Sequence, residues 1–281
     1  MTARSAAYRI SSWLSQQLPR RTALAWAPSV ADAWFCWASA EKAAVASNLA
    51  AILGTAQPEP ARIREVFRNF GRYLVEVFTM HEPPEPDVQI EGLEHLTAAR
   101  RGGRGMIVFT GHLGNWELGA LVLKSLGLPM TVVAMPHDDP GLDRLFNRQR
   151  ERCGIPVIPL GPAAARRSLE CLTRGGALGI LGDREFGHNG LLAPAFNRRL
   201  TLPTGPAILS LRSGSPVLPA FLLRRGAGGF RLCIEPPIEP APGPVRAAVR
   251  ALVLAYGRVL ERYIQRFPEQ WLIFHPLLNA R

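Results

Sequence analysis

The sequence predicts an α/β fold: a mostly parallel mixed sheet flanked by helices on both faces, with a helical region ahead of it. Three observations predict this. From residue 88 onward, short apolar runs alternate with segments whose apolar residues recur at helical spacing, the pattern of strand–helix–strand crossovers. Before that point the spacing is helical, as in Ile63, Val66, Phe67, Phe70, Leu74, Val77 and Phe78. Between the two lies Glu82-Pro83-Pro84-Glu85-Pro86, which breaks any regular element. The expected division is a helical region over residues 1–82 and a sheet-bearing domain over 83–281.

Taken in order, the first forty residues hold Trp13, Trp26, Trp34 and Trp37 together with Arg4, Arg9, Arg20 and Arg21. Residues 22–40 are mostly apolar, but Pro28 and Asp32 interrupt them. A spanning helix needs about 20 predominantly apolar residues, so the run is marginal for crossing. No small-residue cleavage site follows a clean apolar core, which argues against a secretory signal. Tryptophan with arginine on helix surfaces suits a membrane interface, and a membrane-associating region is expected here. Residues 41–53 read as a helix stopped by Gly54, and residues 61–79 as another.

The core elements follow. Strands are expected at 88–91, 105–110, 130–135, 156–160 and 177–181. Helices are expected at 93–101, 116–126, 142–153, 163–174 and 206–213, the last opened by Thr204 as N-cap. Residues 217–222 and 230–234 read as paired strands across a Gly-rich turn, and 245–267 as a long closing helix.

The chain has 281 residues, 47% hydrophobic and 20% charged, with a net charge of +11. That is a globular composition with a substantial core. Only Lys42 and Lys124 are lysines, so the positive charge is almost all arginine, which suits bidentate contact with phosphate. No zinc spacing, basic helix-turn-helix or aromatic sheet motif accompanies the charge, so nucleic acid is not an expected partner; an anionic membrane surface is. Cys36, Cys153, Cys171 and Cys233 show neither metal nor redox spacing and read as small core residues. No metal and no cofactor are expected.

The stretch that carries chemistry is Gly111-His112-Leu113-Gly114-Asn115-Trp116-Glu117, on the turn between a strand and a helix. Open α/β sheets place ligands at such turns. Asn115 suits an N-cap, and Glu117 falls in the first helical turn. The expectation is that Glu117 reaches back to one nitrogen of His112 and makes the other a better base. Leu181-Gly182-Asp183-Arg184-Glu185-Phe186-Gly187 also follows a strand and should lie along the same sheet edge.

A histidine, four residues and an acid form the signature of glycerolipid-type acyltransferases. The longer string, His112 to Glu117, resembles the branch containing the late (lauroyl and myristoyl) acyltransferases of lipid A biosynthesis and the phosphatidylinositol mannoside acyltransferases. Asp183 to Gly187 resembles that family's Asp-x-acid-aromatic-Gly block. Leu202-Pro203-Thr204-Gly205-Pro206-Ala207 is similar to its Pro-rich helix start, whose free N–H groups suit an anion. Arg150 matches a recurring arginine by its spacing from Pro140 and Asp143. Pro268-Glu269-Gln270-Trp271 resembles the family's closing piece, for which a structural role is expected. Two departures concern the acceptor: Met135-Pro136-His137 lacks the family's Tyr-Arg, and the ending lacks a basic tail.

The resemblance implies a glycerolipid acyltransferase-like domain at the cytoplasmic face of a bacterial inner membrane. It would move a fatty acyl chain from a thioester of acyl carrier protein or coenzyme A to a hydroxyl of a glycolipid, a lipid A precursor first and a mannosylated phosphoinositide as the alternative. The implied catalytic residues are His112, Glu117 and Arg150. The implied substrate-binding residues are Asn115, Asp183, Glu185, Thr204 and Gly205. Arg198, Arg199, Arg224 and Arg225 are candidates for anionic headgroups. Leu118, Leu121, Val122, Leu191 and Leu192 are candidates for an acyl-chain wall. A hydrolase using the same pair to activate water is the rival of another class.

Overall fold

The computed structural model describes residues 3–81, 87–187, 189–226, 229–240 and 242–278. Four helices come first: α1 (Ala3–Gln17), α2 (Arg20–Trp37), α3 (Ser39–Leu53) and α4 (Pro60–Phe78). Pro28 lies inside α2 rather than ending it. Ala23, Ala27 and Ala31 form a buried stripe on α2, and Gly71 of α4 meets it so closely that a Cβ there would sit 2.9 Å from the Ala27 carbonyl. Asp32 is held by both ends of the Arg68 guanidinium, at 2.9 and 2.7 Å. The hydrogen bond from Arg68 lowers the pKa of Asp32, so the charge that interrupts the apolar run is an interhelical tie.

The remaining elements are β1 (Val88–Glu91), α5 (Leu93–Arg101), β2 (Met106–Thr110), α6 (Trp116–Ser125), β3 (Met130–Ala134), α7 (Pro140–Arg152), β4 (Val157–Pro159), α8 (Ala164–Thr173) and β5 (Ala177–Leu181). Then come β6 (Leu191–Ala195), β7 (Arg198–Leu202), α9 (Gly205–Ser213), β8 (Val217–Arg225), β9 (Gly229–Ile234), α10 (Val245–Arg266) and a 3-10 turn at Pro268–Gln270. Seven strands form one sheet in the order β1-β9-β8-β2-β5-β3-β4, parallel except where β8 meets β9. This is the expected mixed α/β fold.

The hairpin β6–β7 was not expected. Its two-residue turn is Phe196-Asn197, both at positive φ, and a phenylalanine does not advertise such a turn. Thr204 precedes α9 but does not cap it; its hydroxyl donates to the Asn189 carbonyl at 3.0 Å. Cys36 is exposed, not a core residue, because it sits on an outer turn of α2.

The helical region and the sheet share one core. Phe67, Val77 and Phe78 of α4 belong to the same apolar cluster as Met106 and Val108 of β2 and Leu218 of β8. Phe274 joins from the far end of the chain, with its ring 5.0 Å from Phe67 and Phe70 and 5.1 Å from Trp34. The expected boundary, Glu82 to Pro86, lies outside the described residues. No described helix is long and apolar enough to cross a membrane.

Candidate active site

Strand register builds the site. In β2 and β5, which run parallel, Thr110 pairs with Leu181. Each strand then passes through one glycine, Gly111 or Gly182, to a polar side chain. His112 and Asp183 therefore emerge side by side at the ends of neighbouring strands, where open α/β sheets bind ligands. A Cβ at position 182 would fall 1.9 Å from the Phe109 ring, so only glycine lets the chain carry Asp183 this close. Gly114, at φ +68°, presses against the Leu222 carbonyl and lets Asn115 N–H donate to it at 2.9 Å.

Nδ1 of His112 lies 2.7 Å from Oδ1 of Asp183. The His112 backbone N–H donates to Oδ2 at 2.7 Å, and the Trp271 indole N–H donates to the same oxygen at 2.9 Å. Asp183 is fully buried. Burial pushes its pKa up, but the charge of His112, the hydrogen bonds from its ring and from Trp271, and the backbone N–H outweigh burial and hold it below the ordinary value. The carboxylate of the imidazole is thus Asp183 and not Glu117, a correction of the expected pair. It also moves Asp183 from the substrate-binding set to the rear of the histidine.

Glu117 is turned to α7 because Arg150 offers it a fork. Arg150 Nε donates to Oε2 at 3.0 Å and Nη2 to Oε1 at 2.5 Å, both side chains being largely buried. Burial works against the Arg150 charge, but the charge of Glu117 and its hydrogen bonds raise the guanidinium pKa on balance. Asn115 is fully buried, caps α6 by accepting from Leu118 N–H at 3.0 Å, and donates to Glu76 at 2.7 Å. It supports the turn and does not face a substrate. Arg224 is not a headgroup contact either: it pairs through both ends with the buried Glu76, at 2.7 Å each. Glu185 accepts from the N–H of Gly187 at 2.7 Å in its own loop. Thr204 and Gly205 lie at the start of α9, tied to the site through Tyr256. Its hydroxyl donates to the Pro203 carbonyl, and its ring packs 4.4 Å from Phe109.

Beside the histidine turn, between α6 and the sheet, lies a narrow apolar cavity that opens to solvent. Thr110, Val108, Val132, Ile180 and Leu222 form its sheet side, and Trp116, Gly119, Ala120 and Leu123 its helix side. Glu117 and Arg150 supply its charged lining. The wall expected at Leu118, Leu121, Val122, Leu191 and Leu192 is not the one found. Positions 116, 119, 120 and 123 share the face of α6 that meets the sheet, and 118, 121 and 122 lie on its other faces.

Two signals for the missed residues were in the sequence. His112 and Asp183 each stand two residues beyond an apolar strand, an offset that parallel register converts into contact. Glu76 is an acid inside the apolar end of α4, where only a buried partner tolerates it.

The model of the bacterial lipid A biosynthesis acyltransferase family matches residues 3–280. The chain belongs to that family. It is similar to the lipid A biosynthesis palmitoleoyltransferase of Escherichia coli K12, at 29% identity over 234 residues, 81% of this chain and 74% of the relative. It is also similar to a phosphatidylinositol mannoside acyltransferase of Mycobacterium tuberculosis, at 30% identity over 199 residues, 66% of this chain and 62% of the relative. A lipid A biosynthesis acyltransferase of Haemophilus influenzae matches at 26% over 198 residues, 68% of this chain and 58% of the relative. The family member described here is an acyltransferase, and the geometry above is the machinery available to it.

Proposed function

We propose that this acyltransferase moves a fatty acyl chain from a thioester of acyl carrier protein or coenzyme A to a hydroxyl of a glycolipid, with His112 as general base. The observation that carries the reading is the His112–Asp183 contact at a strand end beside an apolar cavity. With Nδ1 committed to the carboxylate, Nε2 is the nitrogen left for the acceptor's proton. Asp183 fixes that tautomer and stabilises the imidazolium as it forms. The acceptor oxygen attacks the thioester carbonyl, forming the C–O bond; the C–S bond breaks, and His112 returns the proton to the leaving thiolate. Arg150, which lines the cavity with its charge secured by Glu117, is read as the group that meets the developing oxyanion. Glu117 acts through Arg150 in this scheme rather than through the imidazole.

The acceptor is read as a lipid A precursor, in keeping with the family and with the Escherichia coli relative. The similarity to a phosphatidylinositol mannoside acyltransferase favours a mannosylated phosphoinositide as the second reading. The work is assigned to the cytoplasmic face of the bacterial inner membrane, where an anionic surface and a carrier thioester are both available. Outward-facing Trp13, Trp26 and Trp37 on α1 and α2 support seating of the N-terminal helices on that surface without crossing it.

The test is incubation of the pure protein with an acyl thioester, alone and then with each lipid acceptor. Acceptor-dependent acyl lipid is expected, and His112→Ala should lower it by more than about 10³-fold with an unchanged fold. Release of free acid at one rate whether or not an acceptor is present would make the protein a hydrolase.

A further inference from the structure

The segment after α10 is built into the histidine turn. Gly114 N–H donates to the Gln270 carbonyl at 2.9 Å, and Leu272 N–H donates to the His112 carbonyl at 2.7 Å. Leu113 and Trp271 form an antiparallel bridge between these two contacts. The Trp271 side chain, 3% exposed, then donates its indole N–H to Oδ2 of Asp183 at 2.9 Å. That oxygen already receives the His112 backbone N–H, while Oδ1 faces Nδ1. Gln270 fixes the other side of the turn by pairing twice with the backbone of Arg224, at 2.8 and 3.0 Å.

We infer that Trp271 is a positioning residue for acyl transfer: its indole N–H fixes the rotation and charge distribution of the Asp183 carboxylate, and through it the His112 tautomer. The inference rests on His112 and Asp183 being the working pair. An indole has one N–H and no acceptor, so in this packed position it can only donate. With the indole in place Oδ2 accepts two donors and Oδ1 one; without it one lone pair of Oδ2 lies unfilled beside an apolar ring, and the carboxylate is held less firmly. A merely structural tryptophan would contribute bulk, and its N–H could go to any carbonyl.

The experiment replaces Trp271 in the full-length protein in two ways. Trp271→Phe removes the donor and part of the bulk. Benzothienylalanine introduced at position 271 keeps the bicyclic shape and removes only the N–H. Steady-state kinetics across pH are measured with an acyl thioester and a lipid acceptor. The downfield proton resonance of the His112 Nδ1–H is followed by NMR. Both variants should fall about tenfold in kcat with KM within about twofold. The acidic limb of the kcat profile should move to higher pH, because a carboxylate with one donor fewer holds the imidazolium more strongly. The Nδ1–H resonance should move downfield as the carboxylate becomes a stronger acceptor. A shape-preserving variant with wild-type kcat, pH profile and resonance overturns the inference. If the wild-type protein transfers no acyl group, the proposed function falls, and the resonance alone then decides whether the indole acts on the pair.

Discussion

At the scale of single residues, two carboxylates near one histidine have been sorted by what each can reach. Asp183 leaves β5 at the height where His112 leaves β2, so it meets the ring; Glu117 meets a guanidinium first. The two should therefore fail differently. Asp183→Asn offers an amide where the ring needs an acceptor for its Nδ1 proton, and kcat is expected to fall by about 10²–10⁴-fold. Glu117→Gln should raise KM or lower kcat without moving the acidic limb of the profile. Truncation to Glu117→Ala should cost about 3–5 kcal/mol of stability, since it strands the buried charge of Arg150; denaturant unfolding measures it. The sign of the pH effect on folding follows from the depressed pKa of Asp183. Its contribution is complete above 3.8, the ordinary value, and is lost as pH falls through the lower folded value. Acid unfolding of the wild type should thus carry a component below that pH that Asp183→Asn lacks. The sequence displayed both acids and the histidine. It did not display which acid the histidine would meet, because that is a property of strand neighbours and their register.

At the scale of elements, regular pattern made the fold legible, and irregular turn chemistry hid the rest. Each strand of the seven-stranded sheet was expected close to where it lies, and five of the seven, β1 to β4 and β9, are followed by a helix. The hairpin β6–β7 escaped because Pro194 and the Phe196-Asn197 turn do not look like strand and turn. For α6 the helical face decides function. Trp116, Gly119, Ala120 and Leu123 turn toward the sheet and leave room for the cavity, since two of the four have little or no side chain. Ala120→Leu should therefore shorten the acyl chain accepted while leaving His112 undisturbed. Each methylene excluded from an apolar pocket is worth about 0.8 kcal/mol, roughly fourfold in relative kcat/KM. Competition between thioesters differing by two carbons should shift by roughly fifteenfold toward the shorter one, and an unshifted preference would assign the chain to another site.

At the scale of the molecule, the helical region is both part of the core and the face least explained by it. Its inner side is committed: the alanine stripe of α2 lies on α4, Asp32 is tied to Arg68, and Glu76 reaches Arg224 and Asn115 beneath the histidine turn. Its outer side shows Trp26 at 65% and Trp37 at 88% exposure, with Val30 between them, four and seven residues apart on one helical face. Aromatic side chains on one face, on a chain of net charge +11, suit the interfacial zone of an anionic bilayer. If that face seats the enzyme on its acceptor's membrane, its loss should affect access and not chemistry. Trp26→Ser with Trp37→Ser should reduce co-flotation with anionic vesicles by about tenfold or more, because each buried indole contributes apolar area directly. The same double variant should keep wild-type kcat on acceptor dispersed in detergent, where no surface has to be found. Equal loss in both assays would mean that the tryptophans serve the fold, and equal flotation would mean that the bilayer is met elsewhere. Because α4 links this face to the site through Glu76, the detergent assay is the arm that separates a docking defect from a disturbed histidine turn.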